Sequence, residues 1–253
     1  VAVGYGALGA NTTADSNTAV GFQAMLSNLT GTFNTAIGEA TLDANSSGDN
    51  NVALGHAALG ANTTAGSNVA VGFWSLLLNT TGANNTAVGI RTLDANTTGG
   101  SNTALGADAL GANTTANNNT AIGQSALLVN TTGTSNTAVG NLTLDASTTA
   151  SNNVALGTSA LSACTTGAQN VGLGNHAGAS LTTGTYNVLI GYNVQAAAVG
   201  ATNEIVIGNG NQVGKGNSSG YISPGGGPMY NGQNSTVWVA TSDRRIKKDI
   251  VPN

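Results

Sequence analysis

Residues Ser16-Asn17-Thr18-Ala19-Val20-Gly21 return, with small changes, as Ser67-Asn68-Val69-Ala70-Val71-Gly72 and as Ser101-Asn102-Thr103-Ala104-Leu105-Gly106. The closing glycines of this motif are Gly4, Gly21, Gly38, Gly55, Gly72, Gly89, Gly106, Gly123, Gly140, Gly157, Gly174, Gly191 and Gly208, and every step is 17 residues. Four residues before them stands an asparagine column from Asn17 to Asn187, broken only by Glu204. A spacing held this strictly requires each repeat to superimpose on the next.

Within one repeat, Thr18 and Val20 fall on one face of an extended segment and Ala19 on the other. The glycine then permits a corner at positive φ. A second apolar position follows at Met25, Leu42, Leu59, Leu76, Leu93, Leu110, Leu127, Leu144 and Leu161, and after it an Asn-Thr-Thr-Gly type of turn. The repeat therefore reads as two short strands and a turn. Glycine and β-branched residues interrupt every would-be helical turn. The expected fold class is all-β: a parallel β-solenoid or β-roll of 17-residue coils about 4.8 Å apart, forming a rod roughly 60 Å long. Equivalent asparagines would bond amide to amide along its axis. The alanine between Thr and Val gives way to Gly172, Leu189 and Val206 in the last coils, so the cross-section is expected to change there.

A 51-residue period lies over the 17-residue one: Leu42-Asp43-Ala44-Asn45 recurs at Leu93 and, ending in Ser147, at Leu144. Duplication of a three-coil cassette explains it, and a functional stripe bearing Asp43, Asp94 and Asp145 is the sharper reading.

Only 6% of residues are charged, 40% are hydrophobic and the net charge is −4, which suits a folded chain better than a disordered one. Four of the six basic residues are Arg244, Arg245, Lys247 and Lys248, so the repeats offer no basic surface to a nucleic acid. A single cysteine, Cys164, excludes an internal disulfide. No apolar run is long enough to insert in a membrane. Starting at Val1 inside a repeat, the chain is expected to be a piece of something longer.

Motifs of enzymes and metal sites fare poorly. Gly4-Tyr5-Gly6-Ala7-Leu8-Gly9 spells a dinucleotide fingerprint, but no helix follows and its glycines belong to the repeat. His56 and His176 lack ligand partners at metal-binding spacing, and no cofactor or metal is expected. N-x-[ST] acceptor patterns at Asn11, Asn28, Asn45, Asn62, Asn79, Asn96, Asn113 and Asn130 are better explained as turns. Phe22, Phe73 and Trp74 sit at the corner after the glycine, where they would contact glycans or pack between subunits.

The Ser16–Gly21 run and its copies resemble the N-S-V-A-I-G motif of trimeric autotransporter adhesin heads, and more closely the N-T-A-V-G-x-x-A-L-x-x-N-T-T-G repeats of phage tail-fibre-like proteins. The resemblance covers residues 1–208, read as the repeat shaft, and implies a homotrimer. The thin apolar core of a single coil agrees with that, the alanine-lined faces being the ones a trimer would bury. Residues 209–235 read as an irregular Gly-rich connection. Residues 236–253, with Ser242-Asp243-Arg244-Arg245-Ile246-Lys247-Lys248-Asp249-Ile250, are similar to the entry of the self-cleaving intramolecular chaperone domain of endosialidase-type tailspikes. That resemblance implies cleavage between Ser242 and Asp243, with Ser242 as nucleophile and Lys247 as its base.

The expectation is therefore a non-enzymatic extracellular fibre, part of a virion tail fibre serving host attachment, with one self-cleavage at most. Its partners would be its own copies and host surface glycans. A bacterial surface adhesin is the alternative. An ice-binding solenoid is the third, and is disfavoured because the obvious threonines lie in turns.

Overall fold

The computed structural model describes residues 1–223, 229–232 and 239–240. The fold is an all-β parallel β-solenoid of 17-residue coils, with no helix among the described residues. Each coil contributes one short strand: β1 (Ala2–Val3), β2 (Thr18–Val20) and so on at the same interval to β12 (Val188–Ile190) and β13 (Ile205–Gly208). All join one sheet in sequence order and pair in parallel in strict register, Ala19 opposite Ala36 and Ala36 opposite Ala53. The sheet then continues through β14 (Gly220–Ser223), parallel to β13, and turns antiparallel at β15 (Met229–Asn231) and β16 (Val239–Ala240). The last parallel step, Ile205 to Gly220, is shorter than a full repeat.

The sequence predicts two strands per coil, and the structure has one. The second apolar position lies in a chain of tight turns, in which Ala24 N–H donates to Gly21 O, Leu26 N–H to Gln23 O and Asn28 N–H to Met25 O. Alternate residues there are left-handed, as at Gln23 (φ 56°) and Met25 (φ 53°), and the leucines below Met25 share that conformation through Leu161. Non-glycine residues rarely adopt it, at a cost of about 1–2 kcal/mol each. Two gains offset the cost. The leucines are fully buried, and the bent backbone still bonds to its neighbours, with Gln23 N–H to Tyr5 O, Met25 N–H to Thr41 O and Ser27 N–H to Asp43 O. A coil this short must curve sharply to close, which a second extended strand would not allow.

The alanine column points inward. Ala19, Ala36, Ala53 and their successors are completely buried inside the chain's own coil, packed with the leucines. This corrects the expectation that the alanine faces would be covered by other chains. The side chain is small because the opposite wall, carrying Leu and Asn, comes close. Where the column changes, the opposite wall compensates: Gly178 replaces the leucine near Leu189, and a Cβ on Gly172 or Gly178 would lie 2.7 Å from Leu161. The cross-section changes in the last coils as expected, and the interior volume is exchanged between walls.

The corner glycines are set by stacking as well as by φ. At Gly89 (φ +139°) a Cβ would stand 2.7 Å from Gly106 O in the next coil.

Two asparagine ladders run through the interior. In the first, Asn34 N–H donates to Asn17 Oδ1 at 2.9 Å and Asn34 Nδ2 to Gly48 O at 2.8 Å, a pattern kept to Asn187. In the second, Asn45 Nδ2 donates to Asn28 Oδ1 at 2.8 Å and to Gly48 O at 3.1 Å. Carbonyls such as Gly48 O thus accept from both ladders, which pairs the polar groups of these coils with one another. Amide-to-amide bonding is the rule in the second ladder and appears in the first from Asn102 on. The asparagines of the N-x-[ST] patterns from Asn28 to Asn130 are fully buried members of this ladder, with their amide nitrogens engaged.

Both ladders have defined ends. The first closes on Glu204, fully buried, whose carboxylate accepts from Ala197 N–H at 2.9 Å and Gly216 N–H at 2.8 Å. The second stops at Ser147, followed by Cys164. There Asn130 Oδ1 and Ser147 Oγ are buried without a partner.

Candidate functional site

Since the interior fixes the fold, function is sought on the exposed faces, of which two stand out. The first is the outer face of the sheet. Thr18 and Val20 point outward in their strand, as do Thr35 and Ile37, Val52 and Leu54, and so on through Ile205 and Ile207. The two outward columns carry only Thr, Val, Ile and Leu, with no charge, from Thr18 to Ile207. Several members are well exposed, among them Leu54 (45%), Leu105 (45%) and Leu156 (53%). Six threonines, Thr18, Thr35, Thr86, Thr103, Thr120 and Thr137, belong to this flat face. The turn threonines behave differently, Thr80 Oγ1 donating to Thr97 O and Thr97 Oγ1 to Thr114 O along the axis. A threonine array on a flat strand surface therefore exists, contrary to the sequence reading.

The second surface is the corner just after the glycine. Here the repeat stops constraining side chains, and two adjacent columns vary from coil to coil. Tyr5 and Phe22 stack with ring centroids 5.6 Å apart. Glu39 Oε2 lies 3.7 Å from His56 Nδ1, His56 stacks on Phe73 at 5.3 Å, and Phe73 on Trp74 at 4.6 Å. The next rungs follow through backbone bonds, Arg91 N–H to Phe73 O and Asp108 N–H to Ile90 O. Arg91 pairs with Asp108 through an ion-pair contact of Nε with Oδ1 at 2.8 Å and a hydrogen bond from Nη2 to Oδ2 at 3.1 Å. Asp108 holds the guanidinium charged, raising its pKa from an already high value. Beside this pair opens a groove of about 500 Å³ lined by Arg91, Asp94, Asp108, Gly111, Ser125 and Leu128 among others. Partial burial, foremost, and the charge of Asp108 raise the Asp94 pKa against the lowering by backbone hydrogen bonds and Arg91.

Of the residues singled out from sequence, the structure brings Phe73 and Trp74 together. It leaves Phe22 with Tyr5, three coils or about 14 Å away. Ser242, Asp243 and Lys247 lie outside the described residues. Asp43, Asp94 and Asp145 occupy equivalent half-buried positions three coils apart, each with its pKa raised first by burial. Sequence reasoning missed Tyr5, His56, Arg91 and Asp108 as neighbours of the aromatics. The available signal was departure from the repeat: Arg91 is the only basic residue, and Trp74 the only tryptophan, in residues 1–208.

Cys164 takes the second ladder's place in its coil, fully buried, with its Sγ 3.4 Å from Gly167 O and its pKa pushed up to about 11 by burial. No protein-family model, curated protein or solved structure matches this chain.

Proposed function

We propose that this solenoid is the shaft of a homotrimeric extracellular fibre, of the phage tail-fibre kind, that holds receptor-binding parts away from the virion for host attachment. The observation carrying this reading is the uncharged outer sheet face. Its two columns of Thr, Val, Ile and Leu run from Thr18 to Ile207, over eleven coil steps or about 53 Å. Monomeric proteins rarely leave so long an apolar surface in water, and such surfaces mark association sites. Only a partner with the same axial rise can match it rung for rung, and another copy of this chain has that rise. In this reading the chaperone-like segment of residues 236–253 ends the shaft, and Ser242 and Lys247 release it by a single self-cleavage.

Analytical ultracentrifugation of the chain and of Leu105→Lys/Leu156→Lys tests the assembly. The expected result is a trimer for the former and a monomer with an unchanged far-UV spectrum for the latter. A monomeric parent chain at micromolar concentration would refute the reading. Subunits whose measured mass ends at Ser242, and full-length subunits for Ser242→Ala, are expected for the self-cleavage.

The six threonines on the flat face favour a second reading, an ice-binding solenoid. Inhibition of ice recrystallisation, lost on Thr103→Lys, would support it over the first.

A further inference from the structure

We infer that the corner groove lined by Arg91, Asp94 and Asp108, together with Trp74 one rung before Arg91 in the same column, binds a segment of neutral polysaccharide built of hexopyranose units. The inference rests on the attachment role proposed above and gives it a site and a ligand chemistry. Three observations converge. First, Trp74 stacks on Phe73 and keeps 38% of its surface exposed, one rung from the end of the groove that Arg91 lines. The C–H faces of a pyranose pack on such a ring. Second, Arg91 and Asp108 are paired by an ion-pair contact and a hydrogen bond, so this end of the groove sets donor and acceptor groups side by side. Third, Asp94 lines the same groove as a half-buried carboxylate, suited to accept bonds from adjacent sugar hydroxyls. The groove is shallow and open to solvent, a shape that suits an extended ligand lying along it.

Its charge selects the ligand. With Arg91 matched by Asp108, Asp94 leaves the groove net negative, which rejects acidic sugars. The direction of the chain is also set: Trp74, Arg91, Asp108 and Ser125 stand on successive rungs, bonded through Arg91 N–H to Phe73 O, Asp108 N–H to Ile90 O and Ser125 N–H to Ala107 O. A sugar chain lying along them meets a new rung about every 4.8 Å, comparable with the length of one pyranose.

The experiment is a titration of the full chain with cellohexaose, maltohexaose and an acidic oligogalacturonate, followed by calorimetry and tryptophan fluorescence. Saturable binding of at least one neutral hexasaccharide is expected, with a fluorescence change. Trp74→Ala and Asp94→Asn should each weaken it about tenfold or more, while Leu142→Ala, four coils on in the column of Trp74, should not. Binding of the oligogalacturonate alone, no binding of either neutral sugar, or undiminished binding by Trp74→Ala would each overturn the inference. Ultracentrifugation of the same samples separates this outcome from the fibre reading, because the outer sheet face and the corner carry different residues.

Discussion

Replacing Ser147 by asparagine should stabilise the protein, and the interior gives the size of the effect. In the other coils of the second ladder the asparagine makes two bonds, as Asn113 does to Asn96 Oδ1 at 2.8 Å and to Ala116 O at 3.2 Å. At Ser147 both are missing, so Asn130 Oδ1 is buried with no donor and Ser147 Oγ with no partner. Ala150 O receives only the bond from Asn136, at 2.8 Å. An unsatisfied buried acceptor costs about 1–3 kcal/mol, and a new neutral bond contributes about 0.5–1.5 kcal/mol. Against this, the new Oδ1 faces Cys164, whose thiol is a weak donor lying near Gly167 O. The net expectation for Ser147→Asn is about 1–2 kcal/mol. Ser147→Asn/Cys164→Asn should add roughly another 1 kcal/mol by supplying that missing donor. Guanidinium unfolding followed by far-UV circular dichroism, at one fixed protein concentration, measures the shift in midpoint. Hydrogen exchange locates it, because neighbouring coils share the gain and remote ones do not. An unchanged or lowered midpoint for Ser147→Asn, or protection appearing far from residues 130–150, would refute the ladder account.

Gly89→Ala should destabilise by more than 2 kcal/mol, about the sum of left-handed strain and a 2.7 Å clash with Gly106 O. Gly210→Ala, at φ +64° with nothing near its Cβ, should cost only about 1 kcal/mol in the same unfolding assay. Burial raises the pKa of Asp43 and Asp145 above the ordinary 3.8, so the folded state binds these protons more tightly than the unfolded one. Their contribution is therefore most favourable below pH 3.8 and is lost as pH rises through the folded values. Asp43→Asn/Asp145→Asn should accordingly raise the unfolding midpoint at pH 7, and the gain should vanish in acid. Cys164 should resist iodoacetamide at neutral pH in the native protein, its thiol being buried with a pKa of about 11, and react at once in denaturant.

The architecture was legible because stacking makes its demands at fixed intervals. The glycine at the corner recurs in every coil, and the asparagine before it in every coil from Asn17 to Asn187, for reasons that act between neighbours, so the spacing alone reports them. The path of the chain between those points was less legible. Met25 and Leu42 are left-handed, a conformation their residue type argues against, and only the closure of a short coil imposes it. For the same reason the alanine column looked like a surface for other chains, since nothing local says that its opposite wall is close. The outer threonines were overlooked beside the more numerous turn threonines, although their alternation with alanine already placed them on the far face. At the corner, Phe73 and Trp74 were visible as aromatics. Their link to Arg91 and Asp108 was not, because the partners stand one and two turns away in a sequence that otherwise repeats.

The ladders also make length an adjustable quantity. Every rung offers its successor the same carbonyl, the same amide and the same flat glycine, so a cut of one repeat, such as Asn68–Asn84, brings together ends that already fit. Such a chain would be shorter by one spacing, about 4.8 Å, with no new surface to invent. Removing a whole three-rung cassette that carries Asp94 would in addition bring Asp43 and Asp145 to the three-coil interval that now separates each from Asp94. A molecule built this way behaves as a ruler, whose gradations can be added or struck out by recombination between identical marks.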